Sequence, residues 1–158
     1  MAGIAIRAAA RKDAGSLARL CAALSAHEGE SAPAFTAETV LRDGFGPNRA
    51  FELLVAETAG RLVGYALFYP VFDTQTAARG IHIGDLFVAA EARHRGVGRA
   101  LMAAVARRAR AAGGQFIAWN ALAGNREAQA FYRTLGELEE RVQSWSACGT
   151  AFAALAES

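Results

Sequence analysis

A chain of 158 residues has the length of one ordinary domain and enough surface to bury a substantial core. Hydrophobic residues make up 53% and charged residues 20%, a balance that excludes an intrinsically disordered chain. The net charge of +2 is too small to argue for a nucleic-acid partner, and no apolar run approaches the ~20 residues that span a bilayer. The N-terminal residues lack a basic flank, a long apolar stretch and a cleavage site, so no secretory signal is read and a cytoplasmic location is expected. Cys21 and Cys148 form neither a metal spacing nor a disulfide framework. Both are read as small buried apolar residues, and no metal is expected.

No repeat, low-complexity tract or linker interrupts the chain, so residues 1–158 are read as a single domain. Residues 4–7 alternate weakly and predict a first strand. Residues 13–27 carry Leu17, Leu20, Cys21 and Leu24 at helical spacing, with Asp13 as N-cap. After a break at 29–33, residues 36–42 predict a second short helix capped by Thr36, and residues 43–48 a loop. Residues 51–57 and 62–69 are apolar and rich in β-branched and aromatic types around a Gly60 turn, the pattern of a hairpin. A loop over 70–80 leads to a strand over 81–88. Residues 98–112 are an amphipathic helix, with Leu101, Val105, Ala109 and Ala112 on one face and Arg107 and Arg110 on the other. A strand over 116–119, a helix over 126–135 ended by Gly136, and a last strand over 142–147 complete an α/β domain. Hairpins and crossovers coexist in that order, so the sheet is mixed, mostly antiparallel and flanked by helices.

Between the strand at 81–88 and the helix at 98–112 stand Arg93, His94, Arg95, Gly96, Val97, Gly98 and Arg99. Two glycines let the backbone turn tightly with no Cβ in the way, so successive N–H groups converge on an anion. The following helix adds its unpaired amides and the positive end of its dipole. Arg93, Arg95 and Arg99 supply forked donors suited to phosphate oxygens. The turn reads as a diphosphate cradle; the alternative is a tight turn with its arginines in solvent. The third glycine of a dinucleotide fingerprint is missing, and no Gly-Lys-Ser/Thr occurs for a nucleotide triphosphatase.

Arg93-His94-Arg95-Gly96-Val97-Gly98 resembles the Arg/Gln-x-x-Gly-x-Gly/Ala signature of the GNAT superfamily, the acetyl-CoA-dependent N-acetyltransferases. Asn125-Arg126-Glu127-Ala128-Gln129-Ala130-Phe131-Tyr132-Arg133-Thr134-Leu135-Gly136 is similar to that family's Asn-x-x-Ala-x-x-Phe-Tyr-x-x-x-Gly. Within the family, His27-Glu28, Leu41-Arg42-Asp43-Gly44-Phe45-Gly46, Asp85-Leu86-Phe87-Val88 and Trp119 resemble the diamine (spermidine/spermine-type) branch. The resemblance implies a GNAT-like acetyltransferase fold and acetyl-CoA as co-substrate. Its pyrophosphate is expected on Arg93–Gly98, with Arg99 and Asn125 beside it, and its pantetheine arm along Leu86, Phe87 and Val88. It also implies a homodimer, to which the free edge of the expected strand at 142–147 lends itself.

Direct transfer of an acetyl group needs a neutral amine, a polarised thioester carbonyl and a proton for the departing thiolate. Tyr132, in the second motif, is the candidate acid: a phenol with a pKa of ~10 holds its proton at neutral pH. A backbone N–H of Phe87 or Val88 is placed to stabilise the oxyanion, and the sequence does not choose between them. The diamine-type pattern has a Glu immediately before the strand Asp, and this chain has Gly84 there. Strand alternation puts His82, Gly84 and Leu86 on one face and Ile83, Asp85 and Phe87 on the other. His82 lies about 7 Å from Gly84 along the strand, at ~3.3 Å per residue, and is the candidate base acting through a water. A structural or exposed His82 is the alternative. Glu28, Asp73 and Asp85 remain as carboxylates to attract an amine. A small diamine-, polyamine- or amino-acid-like primary amine is the expected acceptor. The alternatives are a protein or peptide N-acetyltransferase and a non-catalytic acyl-CoA-binding module. An arginine-rich nucleic-acid binder has no motif to support it.

Overall fold

The computed structural model describes residues 3–31, 33–136 and 144–158. The chain packs as two compact units, Met1–Asn120 and Ala121–Ser158. In the first unit a five-stranded sheet runs in the order β1 (Ala5–Ala8), β2 (Glu52–Thr58), β3 (Arg61–Asp73), β4 (Ala78–Val88) and β5 (Phe116–Trp119). Every neighbouring pair is antiparallel except β4 with β5. The chain reaches β5 from β4 through α3 (Val97–Ala111), because parallel neighbours need a crossover.

The two faces of the sheet are covered differently. On one, α1 (Ala14–His27) buries Ala14, Leu17 and Cys21 against Leu53, Val55, Tyr65 and Phe87. Val40 joins them from the short α2 (Ala37–Thr39) and the π turn Val40–Gly44 that continues it. On the other face α3 buries Val97, Leu101, Met102, Val105 and Ala109, and its Leu101 lies above Gly64. Each such leucine contributes about 1.5–3 kcal/mol by leaving water. Thr36 caps α2 as the sequence indicates, its Oγ1 accepting the Thr39 N–H at 3.2 Å.

Asp13 departs from the expected cap. It stands before α1, but its side chain makes no cap bond there. Instead it is buried, accepts the Ala10 N–H at 2.7 Å and takes two bonds from Arg7 of β1. Arg7 also reaches Glu57 of β2 at 2.6 Å, so one guanidinium ties the sheet edge to the start of α1.

The hairpin of β3 and β4 is longer than the sequence suggested, because residues 70–73 and 78–80 are strand rather than loop. Pro70 is tolerated inside β3 because β2 has already ended at the Glu52↔Phe68 pair, and no ladder bond on that side is lost. Asp73 closes the hairpin by accepting the Gln75 N–H and the Thr76 hydroxyl.

In the second unit α4 spans Arg126–Tyr132, shorter than the expected 126–135, and its end is a turn in which the Leu135 and Gly136 N–H groups bond to Tyr132 O. The strand expected over 142–147 is not found in its described part: residues 142 and 143 lie outside the described residues, and 144–147 have no regular structure. A helix α5 (Thr150–Ala156) follows instead, made favourable by Ala151, Ala153, Ala154 and Ala156. Cys148 is exposed rather than buried, while Cys21 is in the core as expected.

The Arg7 contacts hold the Asp13 carboxyl below its usual pKa. Their stabilisation is therefore complete above the unfolded-state value of ~3.9 and is lost as pH falls through the lower folded value. Arg7→Met should cost about 2 kcal/mol at pH 7, since a buried carboxylate loses its charged donor. Urea unfolding at pH 7 and pH 3 should show that difference shrinking with acid.

Candidate active site

β4 carries one residue more than β3 can pair. The register runs from Leu67↔Asp85 directly to Phe68↔Ile83, which leaves Gly84 as a β-bulge. A bulge cancels the alternation assumed from sequence. Leu67 packs with the α1-side core, and Tyr69, two residues on, shares its face. A Cβ built on Gly84 would stand 3.3 Å from Leu67 Cδ2 and 3.4 Å from Tyr69 Cε1, so this position also points to the α1 side. Asp85 accepts a hydrogen bond from Tyr65, a member of the α1-side core, at 2.9 Å. His82 lies beside Tyr69, with ring centroids 5.3 Å apart. The expectation that His82 and Asp85 occupy opposite faces is thus corrected: the bulge brings His82, Gly84 and Asp85 to one face.

The same bulge marks where two strands part. Among the described residues β4 pairs with β5 only from Gly80↔Phe116 to Ile83↔Trp119, although β4 continues to Val88. β5 itself ends at Trp119, so among the described residues the edge of β4 beyond Ile83 has no ladder pair on that side. The Ala89 N–H donates to Val63 O at 2.8 Å, and strand alternation then turns the Phe87 peptide groups to β3 as well. Leu86 and Val88 therefore face the side that β5 has left. The Arg93 Nε donates to Val88 O at 3.0 Å, and its guanidinium lies 5.9 Å from the Phe87 ring centroid, so this arginine clamps the end of the strand.

Beyond that clamp the backbone coils in the manner needed to gather N–H groups. His94 has φ 57° and Gly96 φ 78°, both left-handed, and α3 begins at Val97. The residue before the helix is Gly96, which has no side chain to cap it, and the amides of the first turn point back into this coil. Val97 is buried and pins the turn, whereas His94, Arg95 and Arg99 are exposed around it. A Cβ at Gly96 would meet no atom within 4 Å, so glycine is required there by its φ and not by crowding. These groups suit a diphosphate.

Electrostatics single out Asp85. Burial pushes its carboxyl above the usual value, and the Tyr65 hydroxyl opposes that shift only in part. Glu28, at the end of α1, is raised by burial and by the neighbouring charges of Glu30 and Asp85, so Glu28 and Asp85 share one field. Burial lowers the pKa of His82, which keeps its imidazole neutral. Asp73 does not join them, because it pairs with Ala78 at the opposite end of β4. In the second unit Asn125 caps α4, its Oδ1 accepting the Ala128 N–H at 3.0 Å, and Tyr132 lies on the last turn of that helix with its ring 5.4 Å from Phe131. The sequence reading did not single out Tyr65, whose hydroxyl reaches Asp85 from an otherwise apolar stretch of β3.

The sequence and the fold agree with known proteins. Residues 19–136 match the model of the acetyltransferase (GNAT) family. The chain belongs to the GNAT family of N-acetyltransferases. It is 34% identical over 145 residues to the thialysine N-epsilon-acetyltransferase of Sus scrofa, covering 86% of this chain and 85% of that protein. Two solved structures share its fold. One is an integron cassette protein from the mobile metagenome of V. cholerae, with TM-score 0.82 and 22% identity over 98% of each chain. The other is an aminoglycoside N-acetyltransferase in complex with CoA, with TM-score 0.78 and 22% identity over 92% of this chain and 95% of that one.

Because the folded Asp85 has a raised pKa, the wild-type protein loses stability as pH rises from ~3.9 through that higher value. Asp85→Asn keeps an acceptor for Tyr65 and removes the buried charge. Thermal melts should show this variant gaining stability over wild type at pH 7 and no advantage at pH 3.5.

Proposed function

We propose that the chain transfers an acetyl group from acetyl-CoA directly to a small primary amine within a ternary complex. The observation that carries this reading is the opening of β4 at Gly84, where among the described residues the β4–β5 ladder stops at Ile83, ahead of a helix that starts on the left-handed Gly96. The Arg93–Arg99 turn and the first amides of α3 would hold the diphosphate, and the Leu86 and Val88 backbone groups would hold the amide-bearing arm. Of the two N–H groups considered for the thioester oxygen, Val88 is favoured, because Phe87 faces β3. Acetyl-CoA supplies the activated acyl group; the protein supplies position and protons.

The acceptor amine arrives as a cation and meets Asp85 and Glu28 on the α1 side. Its charge compensates the burial of Asp85, which favours binding there over water. His82, neutral and on the same face, is assigned the removal of the amine proton through a water. Tyr132 is assigned the proton that leaves with the thiol, supported by its place in the second family motif. Gly84 stands where the diamine-type pattern has Glu, so this site presents fewer charges to a polycation. An amino acid or short diamine suits it better, in keeping with the thialysine N-epsilon-acetyltransferase likeness.

We read the two units as one catalytic domain, supported by a family match that runs across their boundary. A homodimer belongs to the same reading, supported by the exposure of Trp145, Phe152 and Leu155 in the C-terminal unit. A reducing, cytoplasmic setting is supported by two cysteines that form no disulfide.

Two variants test the assignment separately. Gly96→Val forces a side chain into a left-handed position and should weaken acetyl-CoA binding by at least about tenfold in calorimetry while the protein stays folded. Tyr132→Phe should keep that affinity and lose ~10²-fold in turnover. Unchanged affinity in the first moves the cofactor elsewhere, and unchanged turnover in the second, with chemistry rate-limiting, removes the acid assignment.

A further inference from the structure

We infer that Tyr65 is a positioning residue for the reaction: its buried hydroxyl holds the Asp85 carboxylate in the orientation that receives the amine. The inference rests on the reading of Asp85 as the amine's partner. Tyr65 is completely buried beneath α1, and its ring stands 6.5 Å from Phe87 in a tilted contact, so the phenol has no freedom to turn away. Its O–H donates to Asp85 Oδ2 at 2.9 Å. That bond joins neighbouring strands across the β4 bulge, where two successive positions, Gly84 and Asp85, point to the same face. A bulge loosens the register of the strand that carries it. The Tyr65 bond restores a defined place to the one carboxylate on that stretch, committing Oδ2 and turning Oδ1 to the remaining side.

The groups around Asp85 agree with a fixed donor. Tyr65 faces it from β3, Cys21 from α1, Glu28 from the end of α1, and His82 lies three residues before it on β4. The Cys21 thiol shares the core cluster with Tyr65, and burial raises the pKa of both. Neither proton leaves at working pH, so the Tyr65 O–H stays available to Asp85. Packing alone does not ask for this hydroxyl. Phe would fill the same space without burying a polar group.

Tyr65→Phe should leave acetyl-CoA affinity unchanged and raise the KM for the amine about tenfold, the loss of one hydrogen bond to a charged group. Without its donor the Asp85 carboxylate is less favoured, so the acid limb of kcat/KM should move to higher pH. In an Asp85→Asn background the same Tyr65 change should have no further effect on KM. Asp85→Glu keeps the charge but displaces it by one methylene from Tyr65, and its KM should resemble that of Asp85→Asn. If Tyr65→Phe leaves KM and the acid limb in place, or acts equally with and without Asp85, the positioning role is wrong. An Asp85→Glu enzyme with wild-type KM overturns it too. If Asp85→Asn itself leaves the amine KM unchanged, the underlying reading of Asp85 fails as well, and the two failures are told apart.

Discussion

β4 cannot be paired along its whole length on both sides. It meets β3 over eleven residues with one residue too many, and it meets β5 over only four. The surplus residue is Gly84, and the strand edge left by β5 begins immediately after its last pair at Ile83. From this one mismatch follow the open backbone at Leu86 and Val88, the shared face of His82 and Asp85, and the direct run of the strand end into the Arg93–Arg99 turn. Glycine makes the mismatch possible at low cost, since a Cβ there would press to 3.3 Å from Leu67 and 3.4 Å from Tyr69.

The charges are arranged around that opening rather than spread over the surface. Arginines surround the turn before α3, while Asp85 and Glu28 lie on the α1 side of the sheet. In the proposed reading, a cofactor with phosphates and an acceptor with an ammonium group are drawn to different parts of the first unit. Asp85 is costly for the fold, being a carboxylate pushed toward neutrality by burial, and in the proposed reading a bound ammonium offsets that cost. Arg7 and Asp13 illustrate the opposite case. Their charges are satisfied within the protein and serve its stability.

What was legible in the sequence was what depends on local pattern. The periodicity of α1 and α3, the hairpin around Gly60 and the Gly96 turn all follow from spacing within a short stretch. The family motifs placed Arg93–Gly98 and Tyr132 correctly on a turn and on a helix. The bulge was not legible, because it is a relation between two strands and strict alternation gives no warning of it; a glycine inside a strand was the available hint. That error put Asp85 on the wrong face. Tyr65 was hidden for a related reason: its partner lies 20 residues away, and a tyrosine in an apolar strand reads as core. The lengths of β3 and β4 were underestimated because Pro70 and the polar residues near Asp73 look like a loop. The alanines of α5 carried a helix signal that the expectation of a final strand obscured.

The opening in β4 is proposed to serve acetyl transfer to a small amine. Thiol release from acetyl-CoA by the purified wild-type chain, measured across diamines, polyamines, amino acids, aminoglycosides and peptides, tests it most directly. Release should depend on the added amine and be fastest with small primary amines such as basic amino acids and short diamines. Peptides outrunning every small amine, or acetyl-CoA binding with no release whichever amine is added, would contradict it.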